Sequence, residues 1–295
     1  MNLVVGATGP VGLGGEICRQ LRAAGKPVRA LVRPTADPAR LANLERLGVE
    51  FVEGDLRNRA SLDVACQGIQ ALISTATTTL SRQPGDTIED VDLRGQIELV
   101  DAAKAAGVER VLYVSFSGHI DRDFPLRNAK RGVEQHLKQS GLAYTILRPS
   151  YFMEVWLSPV VGFDFPNAQA TIYGAGRNPI SWISLYDVAR FAALCLDKPA
   201  ARNATLELGG PAALSPLEVV RIFEELGGRR FEVQHVSEEA LEAQQAGAPD
   251  SLGQTFAGLM RCYADGDSID MRAPLVVFPI QLTSVRDYAR RVLAR

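Results

Sequence analysis

The chain has 295 residues, of which 46% are hydrophobic and 22% are charged, and its formal net charge is -2 at pH 7. This composition is ordinary for a globular protein with a sizeable core. The near-neutral charge argues against a nucleic-acid partner. Four cysteines and three histidines are scattered without metal-ligand spacing, so we predict reduced thiols and no metal site.

The sequence carries no visible targeting or membrane signal. Its first residues lack a basic segment followed by an apolar one, and the longest apolar runs, such as residues 273–280, are too short to cross a bilayer. We therefore expect a cytoplasmic protein without a membrane partner, either a monomer or a homodimer.

An apolar strand, a glycine turn and a helical pattern open the chain. The strand ends at Val5, and glycines follow at positions 6, 9 and 12. Such glycines allow a tight turn, close backbone approach to a pyrophosphate and close helix packing, while the helix N-terminus faces the phosphate charge. The alternative is an ordinary strand-to-helix loop. Because glycine continues at Gly14 and Gly15, we expect the helix to begin at one of these two residues, and which glycines contact a pyrophosphate stays open.

Strands and helices then alternate up to residue 150. Apolar segments predict strands at 28–32, 49–52, 71–75, 110–115 and 143–147. Helices are predicted at 61–66, with Ser61 as N-cap, and at 88–106 and 126–139. Near-continuous apolar strands separated by amphipathic helices indicate an α/β fold with a doubly wound parallel sheet. Ligands bind such a sheet outside the carboxyl ends of its strands.

After Pro149 the alternation loosens. A short strand is predicted at 205–208, and helices at 185–196, 237–246, 252–263 and 283–294, with a further helix that begins at a capping box on Ser215. We interpret residues 1–150 as a dinucleotide-binding domain. Residues 151–295 are predicted to form a smaller, mostly helical substrate lobe, partly interleaved with the sheet.

The chain resembles the NmrA-like branch of the atypical short-chain dehydrogenase/reductase superfamily. The matching segments are residues 5–12, 31–34, 53–56, 114–115, 140–154 and 282–288, together with Lys130 and Glu134. The block 140–154 is specific, whereas the glycine turn is shared widely. The resemblance implies a Rossmann fold that binds NAD(P). It also implies that Asp55 meets the adenine edge and that the lysine equivalent to Lys130 acts near the nicotinamide.

The expected cofactor is NADP(H). Arg33 ends the second strand, where an arginine pairs with a 2′-phosphate and an acidic residue would instead bind the 2′-hydroxyl of NAD. The alternative for Arg33 is a solvated charge at a strand end. Apart from Lys130, which lies on a predicted helix, the residues expected to contact the cofactor follow the strand ends. They are Gly6, Thr8, Gly9, Pro10, Val11, Gly12, Arg33, Asp55, Leu56, Thr75, Ala76, Lys130, Ser150, Tyr151 and Phe152.

Lys130 is the catalytic candidate. Most short-chain dehydrogenases carry Tyr-x-x-x-Lys on one helix, but position 126 is Leu here, so the usual general acid is missing. Lys130 could orient the nicotinamide ribose, stabilise negative charge on a reduced oxygen or relay a proton. From the pattern alone it could also be a surface lysine. Downstream aromatics, among them Trp156 and Trp182, could shape an apolar pocket or simply belong to the core.

These features predict an NADPH-dependent oxidoreductase that passes hydride to a small apolar or aromatic acceptor. A quinone, an enone, a carbonyl or a benzylic ether would suit, and a quinone needs little acid assistance. The alternative is a non-catalytic sensor that reports the NADP(H) redox state to a protein partner. A third possibility is an assembly role with tightly held nucleotide.

Overall fold

The chain folds into two compact units, each assembled from separate stretches of sequence. The computed structural model describes residues 1–79 and 82–294, so residue 295, the last of the predicted lobe, lies outside the described residues. Unit 1 comprises residues 1–115, 128–147 and 188–206. Unit 2 comprises residues 116–127, 148–187 and the chain from 207 onward.

Two sheets are formed by short strands. In chain order the strands are β1 (Asn2–Val5), β2 (Val28–Val32), β3 (Glu50–Glu53), β4 (Ala71–Ser74), β5 (Arg110–Val114), β6 (Ala143–Pro149), β7 (Phe163–Asp164), β8 (Gln169–Tyr173), β9 (Ala204–Leu208) and β10 (Glu232–Val236). The larger sheet has the order β3-β2-β1-β4-β5-β6-β9, and the smaller one β10-β8-β7.

Helices connect these strands. In chain order they are α1 (Leu13–Ala23), α2 (Pro38–Arg46), α3 (Arg59–Ala65), α4 (Gln96–Ala105), α5 (Pro125–Gln139), α6 (Met153–Trp156), α7 (Leu185–Cys195), α8 (Pro216–Gly227), α9 (Glu238–Gly247), α10 (Ser251–Asp265), α11 (Arg272–Val277) and α12 (Val285–Leu293). A π-helical segment, Ile88–Gly95, leads into α4, and short 3₁₀ turns lie at Pro159–Val161, Phe165–Asn167 and Pro199–Ala201.

The larger sheet is the framework of unit 1. Each pairing from β3 through to β6 is parallel. Strand β1 is buried along its length, and the core around it is aliphatic. The strand order reverses between β1 and β4, and this switch point is where doubly wound sheets open a ligand crevice. The predicted α/β fold with a doubly wound parallel sheet is confirmed.

Unit 2 contains four of the predicted helices, α8, α9, α10 and α12, and, in addition, the three-stranded sheet. The helix predicted at 185–196, which is α7, lies mostly in unit 1. Strand β8 pairs in parallel with β10 and antiparallel with β7. The capping box of α8 forms as expected, since Ser215 accepts from the Glu218 amide and the Glu218 carboxylate accepts from the Ser215 amide. Trp156 and Trp182 pack with Tyr151 and Tyr263 in an aromatic cluster. Trp182 is fully buried and belongs to the core, whereas Trp156 is half-buried.

Two local expectations were wrong. Helix α1 begins at Leu13, directly after Gly12, and therefore starts before Gly14 and Gly15. The N-cap of α3 is Asn58, whose side chain accepts from the Ser61 amide, so Ser61 lies inside the helix. Both errors concern a helix start, where neighbouring polar residues and glycines compete for the same role. The helix predicted over 88–106 forms, but its first half, Ile88–Gly95, is π-helical.

Replacement of Gly14 by Ala should destabilise the fold. A Cβ at Gly14 would lie 2.7 Å from the Gly6 carbonyl carbon and 2.9 Å from the Ala7 Cα, and closer still to the Gly6 oxygen. Backbone atoms cannot yield as a side chain can, so we expect a loss of about 1–3 kcal/mol in the free energy of unfolding. Chemical denaturation measures it. The matched control is Gly247→Ala on α9, where the added Cβ meets nothing within 4 Å. Equal stability of the two variants would contradict the close contact.

Candidate functional site

A cleft of about 420 Å³ lies in unit 1 at the carboxyl ends of β1, β2 and β4. Its walls include eleven of the residues that the sequence predicts for cofactor binding. They are Gly6, Thr8, Gly9, Pro10, Val11, Gly12, Arg33, Asp55, Leu56, Thr75 and Ala76. The remaining four, Lys130, Ser150, Tyr151 and Phe152, do not line this cleft.

The glycine turn is built by two backbone hydrogen bonds. The Gly9 amide donates to the Gly6 carbonyl and the Gly12 amide to the Gly9 carbonyl, both at 3.1 Å. Gly6 and Gly12 have φ values of 93° and 89°, in the region that favours glycine. A Cβ on Gly6 would lie 2.6 Å from the Thr75 hydroxyl, whereas one on Gly12 would meet nothing within 4 Å. Since Gly12 is the N-cap of α1 and has no side chain to cap it, the helix presents its N-terminal dipole at the open cleft.

Arg33 is held by a buried carboxylate. Its guanidinium lies 2.8 Å from Asp86, whose side chain is 1% exposed. Arg57 lies 3.3 Å from the other oxygen of Asp86, and the Gln83 amide donates to the first. A guanidinium has five donor hydrogens, so Asp86 can hold Arg33 in place while other donors bind a ligand. The ion pair argues against Arg33 as a merely solvated charge.

Asp55 also belongs to this charged group. Its carboxylate accepts from the Arg57 amide at 2.8 Å and from the Arg57 guanidinium at 3.2 Å. Partial burial acts to raise the pKa of Asp55, but these bonds and the charges of Arg57 and Arg33 outweigh it and hold the pKa below its usual value. The carboxylate is therefore ionised at neutral pH and can accept hydrogen bonds at the cleft wall.

Lys130 is buried in unit 1 on helix α5. It is 6% exposed, and its Nζ donates to the Val114 carbonyl at 3.3 Å and lies 5.2 Å from the centre of the Tyr113 ring. Burial lowers the pKa of Lys130, while the charges of Asp92 and Glu134 act to raise it. A buried ammonium of this kind is costly to keep in a fold. The surface interpretation of Lys130 is therefore excluded.

The segment Ser150–Phe152 lies in unit 2. The Ser150 amide donates to the Leu208 carbonyl at 2.8 Å, and Phe152 pairs with Ile183 in an isolated bridge. Tyr151 is 2% exposed, and its hydroxyl donates to the Leu259 carbonyl. A cofactor-binding role for these three residues stays a prediction.

Several residues of the cleft have no signal in the sequence. Asp86 belongs to no recognisable motif in its polar loop. Arg40 of α2 donates to the Gly9 and Pro10 carbonyls of the glycine turn. Behind the cleft, Asp92 accepts from the Thr78 amide and hydroxyl at 3.1 and 2.6 Å. Asp92 lies in the π-helical segment, a distortion that often marks functional sites.

Two kinds of feature are absent from the described residues. No helix within residues 1–79 and 82–294 has the length and apolarity to cross a membrane. In the same ranges no group of three or more His, Cys, Asp or Glu side chains is arranged to hold a metal ion. The cytoplasmic location and the monomeric or homodimeric state stay predictions.

Replacement of Lys130 by Met should make stability less dependent on pH. Because the folded-state pKa is lowered, the unfolded state binds the proton more tightly, and wild-type stability rises as the pH increases toward 10.5. The variant has no such proton. Its stability relative to wild type should be greatest below the folded-state pKa and should decline as the pH rises through that pKa to 10.5. Denaturation across this pH range measures the difference.

The matched control is Lys138→Met on the same helix, where the lysine is exposed. We expect this variant to follow the wild-type pH dependence. A constant difference between Lys130→Met and wild type at every pH would contradict the lowered pKa.

Known proteins resemble this chain in sequence. The sequence profile of the NmrA-like family matches residues 2–289. The NAD(P)H azoreductase of Xenophilus azovorans is 32% identical over 87% of this chain and 85% of that protein. The photosystem II assembly factor Ycf39 of Trieres chinensis is 31% identical over 79% of this chain and 71% of that protein.

A solved structure shares the fold. The NADPH-dependent quinone oxidoreductase of Escherichia coli, complexed with NADPH, superposes with a TM-score of 0.79 at 22% identity over 99% of both chains. The resemblance to the family in the sequence is thus confirmed by the profile, the relatives and the fold. The chain belongs to the NmrA-like family.

Proposed function

We propose that this protein is an NADPH-dependent oxidoreductase that reduces a small apolar or aromatic acceptor such as a quinone, an enone, a carbonyl or a benzylic ether. The observation that carries the proposal is the cleft at the switch point of the sheet, with a glycine turn at one wall and Arg33, held on buried Asp86, at another. The azoreductase and quinone oxidoreductase relatives support this class of reaction.

The cleft residues fit an adenine dinucleotide that carries a 2′-phosphate. The glycine turn and the N-terminus of α1 suit a pyrophosphate, because backbone N–H groups and the helix dipole favour negative charge there. Arg33 would pair with the 2′-phosphate, and Asp55 and Leu56 would meet the adenine. Thr75 and Ala76 would face the ribose and pyrophosphate. The reduced cofactor supplies the hydride when it is bound.

Lys130 is the proposed catalytic residue. Its charge is buried, so it can stabilise negative charge that develops on a reduced oxygen far better than an exposed lysine could. Position 126, where most short-chain dehydrogenases have the acidic tyrosine, is a buried leucine. Acceptors such as quinones, whose reduced oxygen is already well stabilised, therefore suit this chain best.

Replacement of Arg33 by Gln should weaken the binding of NADPH selectively. Loss of a charged hydrogen bond costs about 1.5–3 kcal/mol, which corresponds to about tenfold to a hundredfold in Kd. The affinity for NADH, which has no 2′-phosphate, should change by less than about twofold. Calorimetry with both cofactors measures the two constants.

The matched control is Arg29→Gln, at the other end of β2, where Arg29 donates to the Gln67 carbonyl and pairs with Glu50. We expect this variant to bind both cofactors as wild type does. Equal losses for NADPH and NADH in Arg33→Gln would argue against a 2′-phosphate contact.

The loss of NADPH absorbance with a panel of quinone, azo and carbonyl acceptors tests the activity itself. We expect turnover with at least one acceptor. Lys130→Met should lower kcat by about a hundredfold, the lower end for loss of one electrostatic stabiliser, with less change in the Kd for NADPH. Tight binding of NADPH without turnover of any acceptor would reject the enzyme.

An assembly role is the second candidate, favoured by the 31% identity to Ycf39. In that role a bound cofactor would only stabilise the protein or report the NADP(H) redox state, and no hydride would be transferred. If this role holds, Lys130→Met should complement an assembly defect as well as the wild-type protein does. If the protein instead acts through its oxidoreductase activity, the variant should fail to complement the defect.

A further inference from the structure

The charges on the walls of the unit 1 cleft balance one another. The charged side chains that line it are three arginines and three aspartates: Arg33, Arg40, Arg82, Asp37, Asp55 and Asp86. A dinucleotide with an additional 2′-phosphate carries several negative charges, which a wall of balanced charge attracts weakly. Selectivity for the 2′-phosphate therefore depends on how much of the positive charge of a single arginine it can use.

Asp86 neutralises the charge of Arg33. The Arg33 guanidinium donates to Oδ2 of Asp86 at 2.8 Å, and the Gln83 amide donates to the same oxygen at 2.9 Å. The Asp86 side chain is 1% exposed and that of Arg33 is 24% exposed. Water screens such a pair poorly, so the two charges attract each other more strongly than they would at the surface. An approaching phosphate therefore meets an ion pair that is close to neutral.

Arg57 contacts the same carboxylate from its other side. Its guanidinium lies 3.3 Å from Oδ1 of Asp86, an oxygen that accepts no hydrogen bond within residues 1–79 and 82–294. Arg57 also binds Asp55, at 3.2 Å, and its side chain is 36% exposed. The contact between Asp86 and Arg57 is thus electrostatic only, and the aligned hydrogen bond of the carboxylate goes to Arg33.

We infer that Asp86 competes with the 2′-phosphate of NADPH for Arg33 and thereby limits the preference of this protein for NADPH over NADH. This inference rests on the proposed function, in which Arg33 pairs with the 2′-phosphate. The 2′-hydroxyl of NADH is neutral and forms no ion pair with Arg33, so the competition affects NADPH alone. Asp86 is a specificity-determining residue that acts through Arg33.

Replacement of Asp86 by Asn tests the competition. Asparagine has the size of aspartate and can accept from the Gln83 amide through its oxygen, but it carries no charge. We expect Asp86→Asn to bind NADPH about tenfold more tightly than wild type, while the Kd for NADH changes by less than about twofold. Calorimetry with both cofactors measures the two constants. Adenosine 2′,5′-bisphosphate and adenosine 5′-phosphate, as a second pair of ligands, isolate the effect of the 2′-phosphate.

Two further variants check that the effect passes through Arg33. Added to Arg33→Gln, the Asp86→Asn replacement should change the Kd for NADPH by less than about twofold, because the competition needs the guanidinium. The matched control is Asp63→Asn on α3, which removes the same charge from a carboxylate that pairs with Arg59 at 2.8 Å but is 47% exposed. We expect this variant to bind both cofactors as wild type does.

Arg57→Gln should act in the opposite direction and keeps the buried carboxylate, so it tests the inference even if Asp86→Asn fails to fold. Without Arg57, the charge of Asp86 is divided less and holds Arg33 more firmly. The preference for NADPH over NADH should fall by about threefold. Loss of the contact with Asp55 concerns the adenine, which both cofactors share, and does not alter the ratio of the two constants.

The outcomes separate this inference from the proposed function. Weaker binding of both cofactors by Asp86→Asn, as a merely structural role would give, overturns the competition and leaves the proposed function intact. The same holds for an unchanged ratio of the two constants in Asp86→Asn or Arg57→Gln, and for an equal gain with and without Arg33. A wild-type protein that binds neither NADPH nor NADH overturns the proposed function and the competition with it.

Discussion

The close approach of helix α1 to strand β1 is the constraint on which the cleft depends. Gly14 has no room for a Cβ against the Gly6 carbonyl, and Gly6 has none against Thr75 and Ala76 of the neighbouring strand end. The end of β1, the first turn of α1 and the residues after β4 therefore meet in close contact. That contact aims the first turn of α1 at the cleft, where helix-terminal N–H groups and the dipole attract negative charge. A side chain at Gly14 would push the helix away from the turn, and one at Gly6 would collide with Thr75 and Ala76, so either would disturb the anion site.

The prediction from sequence succeeded where the same physical requirement determines both the local sequence pattern and the fold. The apolar strands, the glycine turn and the residues after each strand are dictated by burial and by sheet topology, so eleven predicted residues line one cleft. The prediction failed where a residue's partner lies far away in the sequence, or where two neighbouring residues could fill the same role. Asn58 and Ser61 are both good caps, and the position of the helix decides between them. Nothing in the sequence around Asp86 marks it as important, because its role depends on the ion pair with Arg33, which is distant in sequence.

Buried charge separates structural from functional roles in this protein. A lone buried ammonium or carboxylate costs stability, and a fold keeps one only with a partner or a use. Asp86 has two arginine partners, so part of its cost is offset by the pairs that form the cleft wall. Lys130 instead has a carbonyl and an aromatic ring close by, with acidic groups acting through charge. Its burial is a cost that packing alone does not explain.

Because position 126 is a leucine, the usual tyrosine does not supply the proton that a reduced acceptor needs. The Leu126 side chain is buried and its amide donates to the Thr255 hydroxyl, so this part of α5 serves packing rather than acid chemistry. Hydride transfer to a neutral acceptor nevertheless leaves a negative charge that must be stabilised or protonated. A buried lysine such as Lys130 can stabilise it. The demand for an acid falls as the acceptor delocalises its charge, so the acceptor chemistry and the residue at position 126 constrain each other.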